Sequence, residues 1–374
     1  MRIKTGLSLS TLLFMFSAAS AFAHHGFGRF DMNAEVELSG TLTNLEFVNP
    51  HSYVYFDMPL EDGTIRKMGC EMRAATVLRR SGWTRDMFVE GAYIEIVGRP
   101  HRDDPASCYV ETIAIGESPV LERYQQLDGD EALQADRPMR LSSGEPNISG
   151  DWAQEQYVLA NLPDGGSAGL VPLSMVPGIA SGEMDVSEVP NSGWGGFQVE
   201  LTQAGEAAAE VLRNEPPEEN PRITCQITSI LFDWVFDGPI NRITQNEDII
   251  TIEYGRNLIR TVYLDAEQQP DNIEPSRGGY SVGHWEGDVL VVETNGFLPG
   301  RLVRNIPSSN RMTVTERFSL QQDRFDRLVL QRDYSAQDPL YFQGTYEGSD
   351  TLLLADAPFA VDECKELASE YLQE

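Results

Sequence analysis

Basic residues are scarce in this chain of 374 residues: 28 Lys plus Arg face 58 Asp plus Glu, a formal charge of -30. A surface of that sign repels nucleic-acid phosphates and anionic lipid headgroups, so a nucleic-acid-binding function is set aside. Long apolar runs are missing too, none approaching the about 18 residues of a membrane helix, and no membrane span is expected. The chain has no phosphate-cradling or dinucleotide glycine motif and no C-x-x-C pair. What is there suffices for a fold. With 41% hydrophobic residues the chain can build two domains with cores of their own, which excludes disorder throughout.

Residues 1–23 read as a removable signal peptide: Arg2 and Lys4 precede an apolar run at 12–16, and Ala21-Phe22-Ala23 has the A-x-A cleavage pattern. The mature product is expected to be soluble and periplasmic or secreted. Such compartments are oxidising, so Cys70, Cys108, Cys225 and Cys364 point to disulfides rather than to zinc. Of the three possible pairings, Cys70 with Cys108 and Cys225 with Cys364 keeps each bridge inside one proposed domain.

Residues 24–116 hold strand-like segments at 35–48, 51–57, 65–72, 92–97 and 109–115, with helical composition at 74–80 ended by Gly82. Three strands, a short helix and two strands is the order of an OB-type barrel. Residues 117–149 are acidic and broken by Gly129, Pro138, Gly144 and Pro146, which reads as a linker. The second domain, 150–374, opens on Gly150-Asp151-Trp152 and a Gly-, Pro- and Ser-rich stretch that reads as a binding loop or a lid, followed by a helix over 201–212. A meander is then predicted at 230–236, 249–254, 258–264, 279–285, 289–294, 312–321, 324–334 and 340–346, closed by a helix over 360–372. The expected fold class is mainly β. It comprises an N-terminal OB-like five-stranded barrel and a C-terminal antiparallel meander or barrel of lipocalin-like aspect with flanking helices, a shape able to enclose a small apolar ligand.

Histidine is concentrated at one end: of the five, His24, His25, His51 and His101 precede residue 102. Cleavage after Ala23 makes His24 the new N-terminus. Its α-amine and imidazole Nδ1 can chelate one metal ion, and one further imidazole completes a three-nitrogen set suited to Cu(II), a histidine brace. His51, at a strand start after Asn49-Pro50, is the first candidate for that imidazole, with His25 and His101 behind it. Met32, Met58, Met68 and Met72 offer soft sulfur for Cu(I). The competing reading makes His24-His25 a flexible terminus and His51 a strand cap.

Gly279-Tyr280-Ser281-Val282-Gly283 spells the G-x-S-x-G of a nucleophile elbow, but a strand and hairpin follow it and no histidine comes after His284. The match is read as coincidence. Carboxylates are too numerous for a catalytic pair to be chosen by type. Trp152, Trp194, Trp234 and Trp285 are candidates for lining a site or, more commonly, for packing a core.

His24-His25-Gly26-Phe27, Gly40-Thr41, Asn49-Pro50-His51, Gly69-Cys70-Glu71 and Gly82-Trp83-Thr84-Arg85-Asp86 resemble an uncharacterised family of secreted bacterial domains that begin Ala-His-His. Its members look like small β-barrels of unknown function. The likeness covers about residues 24–116; Gly26 stands where that family commonly has Ser, and Cys70 and Cys108 look like additions. Gly150-Asp151-Trp152 and Ser281-Val282-Gly283-His284-Trp285-Glu286-Gly287-Asp288 resemble uncharacterised lipocalin-like bacterial proteins. These resemblances imply the domain plan and export, and no activity. The leading expectation is a non-enzymatic exported binding protein, with copper on the first barrel and a small molecule or protein partner on the second domain. Its rivals are a copper-dependent oxidative enzyme and an interaction module without a ligand.

Overall fold

The computed structural model describes residues 29–125, 127, 137–189, 199–216, 219–264, 272–361 and 363–365. The expected signal peptide, His24, His25 and Trp194 lie outside these residues. Two closed β-barrels make up the fold.

The first barrel is built from β1 (Val36–Glu46), β2 (Ser52–Pro59), β3 (Ile65–Met72), β4 (Tyr93–Pro100) and β5 (Ser107–Ile115), in the order β3-β2-β1-β4-β5. A parallel pairing of β3 with β5 closes the ring, and α1 (Ala75–Arg80) stands between β3 and β4, the OB arrangement. Alternation along the strands supplies the core, where Leu42, Val54, Phe56, Ile94, Ile96 and Ile113 are buried. Cys70 and Cys108, partners in the β3–β5 ladder, are disulfide-bonded within that core, so the covalent bridge fastens the closing pair of strands. The short β6 (Leu121–Glu122) adds to β5, which places the start of the expected linker on the barrel.

Gly40 on β1 shows why the Gly-Thr step is there. A Cβ at this position would stand 2.3 Å from the carbonyl oxygen of Asp57 on β2. Backbone cannot yield as a side chain does. Gly40→Ala should therefore destabilise the first barrel by about 3 kcal/mol, read as a lowered urea midpoint; an unmoved midpoint would mean that β1 and β2 can part at no cost.

The stretch expected to be irregular holds β7 (Gly150–Ala153), the hairpin β8 (Tyr157–Asn161) and β9 (Ser167–Pro172), and α2 (Val176–Ser181). Ala160, Val171, Met175 and Ile179 give it a small core. After β10 (Glu200–Leu201) comes α3 (Gln203–Arg213), close to its expected span and capped by Thr202 Oγ1, which accepts from Gly205 N at 3.0 Å.

The second barrel uses β7, β11 (Ile240–Gln245), β12 (Ile249–Tyr254), β13 (Leu258–Leu264), β14 (Tyr280–Glu286) and β15 (Val289–Asn295). A side hairpin follows, β16 (Gly300–Val303) and β17 (Ile306–Ser308), then β18 (Thr313–Gln322) and β19 (Leu328–Gln337). β20 (Phe342–Gln343) pairs with β10, and β21 (Tyr346–Leu354) returns to β7 to close a ring of nine strands. The barrel is antiparallel except at β13–β14, which is parallel. An odd ring cannot alternate direction all the way round, so one neighbouring pair has to run the same way.

Three expected elements differ. Residues 230–236 are turns inside the barrel, not a strand, with Ile230, Leu231 and Trp234 in its core. Asp233 accepts from Thr228 N (2.6 Å) and Ser229 N (3.0 Å) and so coils this plug. The segment expected as one strand at 340–346 is broken into β20 and the first residue of β21, because Asp338 accepts from Leu340 N at 3.1 Å and bends the chain there. Of the closing helix at 360–372, residues 360, 361 and 363–365 are not helical: Cys364 pairs in parallel with Asn49, which draws the chain out straight, and the remainder lies outside the described residues.

Candidate functional site

The site is at the seam between the barrels. α1 ends on Arg80, whose side chain is only 4% exposed and reaches into the second barrel. Its Nε donates to Asp356 (2.7 Å), Nη1 to the Gly238 carbonyl (3.0 Å) and Nη2 to the Gln154 carbonyl (2.6 Å). Beside it Ser81 Oγ donates to Gln156 Oε1 at 2.9 Å. On the other flank Asn49 N donates to the Glu363 carbonyl and Lys365 N to the Asn49 carbonyl, while Cys364 between them is bonded to Cys225.

His51 follows that flank by two residues. Its Nδ1 lies 2.8 Å from Oε1 of Glu71, a carboxylate 9% exposed near the end of β3, whereas the imidazole keeps 40% of its surface open. Desolvation pulls the His51 pKa down, but the charge and hydrogen bond of Glu71, with Asp237 across the seam, outweigh it and hold the imidazole above its ordinary value. A carboxylate on Nδ1–H fixes the tautomer and leaves Nε2 as the coordinating nitrogen, the support that ligating histidines commonly have. Among the described residues none hydrogen-bonds that Nε2.

Glu71 pairs with Tyr109 across β3 and β5. Phe30, buried, lies edge-on to Tyr109 (5.4 Å) and to His101 (5.5 Å). Around it Asp31 N donates to the Pro100 carbonyl and Arg102 N to the Arg29 carbonyl, so residues 29–31 are laid along the barrel beside Glu71. The six residue steps from His24 to Phe30 reach at most about 20 Å. The path from Phe30 over Tyr109 and Glu71 to His51 is on the order of 15 Å.

Residues 13–109 are similar to DUF6152. That is a family of unknown function, and no curated protein matches the chain. The DUF6152 span contains His24, His25, His51, Glu71 and His101, and the second barrel lies beyond it.

The other sequence candidates are spread more widely. His101 accepts from Asp103 N (3.2 Å) and Asp104 N (3.0 Å) at Nδ1, a loop cap that leaves only Nε2 for a ligand. Met68 and Met72 pack in the core of the first barrel and Met58 against it, so their sulfurs serve packing. Among the described residues no three His, Cys, Asp or Glu side chains are gathered so as to hold a metal; His24 and His25 lie outside them. His284 is exposed on the second barrel, 3.3 Å from Glu286. Ser281 is fully buried and bonded to Arg260 (2.8 Å) and Thr294 (2.9 Å), a setting closed to substrate. Trp152 and Trp234 are core residues.

Arg260 belongs to a charged cluster within the second barrel. It pairs with Glu316 (2.5 Å), which also meets Arg332 (3.1 Å); Arg332 holds Asp350 (2.5 Å) and donates to the carbonyls of Ile230 (3.2 Å) and Leu231 (3.3 Å). The cluster ties the plug to the wall. Glu71, Arg80 and Arg332 escape a reading by residue type, since carboxylates and arginines are common on any surface. The one available signal was the position of Arg332, on a strand whose neighbours alternate inward.

Proposed function

We propose that this is an exported binding protein that holds one copper ion through its mature N-terminus, with the α-amine and imidazole of His24 and the Nε2 of His51 as donors. The observation that carries the reading is the half-open His51 braced by the buried Glu71 carboxylate, on the same barrel as Phe30, against which the N-terminal segment begins. Three nitrogen donors favour Cu(II), and a carboxylate behind the imidazole raises its basicity. His25 and His101 are the alternative imidazoles. Residues 1–23 and the two disulfides support export to an oxidising compartment. The second barrel supplies the surface for a small molecule or protein partner.

Copper titration of the mature protein, followed by calorimetry and electron spin resonance, tests the reading. One Cu(II) should bind. One extra residue ahead of His24 displaces the amine and leaves every side chain intact; His51→Ala removes an imidazole. Each should weaken binding by about 100-fold or more, and Glu71→Gln by about 10-fold to 100-fold. His284→Ala should change nothing. Copper held equally well by the extended protein would end the brace reading.

A further inference from the structure

Arg73 immediately follows β3, and its carbonyl accepts from Ser52 N (3.3 Å), which sets it beside His51. Acids outnumber bases in this chain by 58 to 28, yet among the described residues no carboxylate pairs with Arg73. Its neighbours on the barrel are matched: Arg80 with Asp356, Arg85 with Glu363, and both Arg99 and Arg123 with Glu111. Glu111 is thus engaged twice over. The Arg73 guanidinium lies 4.9 Å above the Tyr124 ring, and the Arg123 guanidinium covers Tyr124 (4.6 Å) and Tyr109 (4.1 Å). Among the described residues the Arg73 side chain makes one hydrogen bond, a long one, from Nη1 to the Arg123 carbonyl at 3.4 Å. Two guanidinium groups therefore share one aromatic ring, and among the described residues Arg73 has donors that no carboxylate takes.

We propose that Arg73 is the centre of a binding site for a monocarboxylate, on the barrel face formed with Arg123 and Tyr124. A guanidinium fork matches the two oxygens of a carboxylate, and the stacked ring holds the fork in place. A single negative charge suits the site because a chain of charge -30 repels multiply charged anions more strongly. Burial lowers the Arg73 pKa to about 10, opposed by Tyr124 and Tyr109 and reinforced by the cations Arg123 and Arg80, so an arriving anion relieves a charge that no carboxylate among the described residues meets. The site needs no metal and stands apart from the copper reading.

Benzoate is the probe, and benzamide its neutral match, added to the mature protein and followed by saturation-transfer NMR and calorimetry. Benzoate should bind saturably with a Kd on the order of 1 mM, and benzamide at least about tenfold more weakly. Arg73→Gln should weaken benzoate by about tenfold, Arg73→Lys by less, since it keeps the charge and loses the fork. Arg140→Gln, at a surface pair with Asp288, should leave it unchanged. Thermal melts of the variants establish that they fold, and the lysine variant decides the matter if glutamine prevents folding. Absence of saturable benzoate binding, equal binding of benzamide, or undiminished binding by both Arg73 variants would overturn the proposal.

Discussion

Arg332→Met should cost the second barrel about 3–5 kcal/mol, the largest stability effect expected of any single side chain here. Arg332 is fully buried and holds Asp350, Glu316 and two carbonyls of the plug. Without it Glu316 keeps Arg260, but Asp350 loses its cation. Burial already raises the Asp350 pKa against the pull of Arg332, and removing that pull raises it further. A carboxyl whose folded pKa exceeds its unfolded value takes up a proton on folding; its penalty is absent below about pH 4 and grows as pH rises through the window between the two values. The gap between wild type and variant should thus be widest at neutral pH and narrow on acidification. Adding Asp350→Asn should recover a good part of the loss. Urea unfolding at two pH values checks this, and an Arg332→Met protein with a wild-type midpoint would mean that apolar contact alone retains the plug.

Arg80→Ala should uncouple the barrels. The side chain makes bonds to Asp356, Gly238 and Gln154, and its removal leaves two carbonyls at a buried seam without that donor. The cost is about 2–4 kcal/mol. It should appear as a split in the calorimetric melt, one transition becoming two, because each barrel keeps its own core. Ser81→Ala, which forfeits one neutral bond, should shift the melt by about 1 kcal/mol without splitting it. A single unsplit transition in Arg80→Ala would assign the coupling to the 363–365 segment instead.

The first barrel was legible because its strands are buried on one face only. Leu42, Phe56 and Ile94 alternate with solvent-facing neighbours, and such a pattern states both the strand and the side that goes inward. The plug was not legible for the opposite reason: surrounded by barrel wall, Ile230, Leu231 and Trp234 show no period, and a short apolar run of that kind reads as a central strand. His51 could be singled out by its type and by Asn49-Pro50. Its partner Glu71 could not, since only the β2–β3 register brings the two together. Arg80 and Asp356 stand 276 positions apart, and nothing in local sequence encodes such a meeting.

The short segment at 363–365 lays the last described residues of the chain upon the first barrel, beside Asn49. A chain that emerges N-terminus first can close Cys70–Cys108 once β5 is out, since 38 residues separate the two. Cys225 has to wait for a mate 139 positions further on. Through that interval it is an unpaired thiol, and the barrel face around Asn49 lacks its cover. The seam is in this sense a mark of completion: a molecule interrupted before Cys364 presents a free thiol at Cys225 and an uncovered Asn49 together.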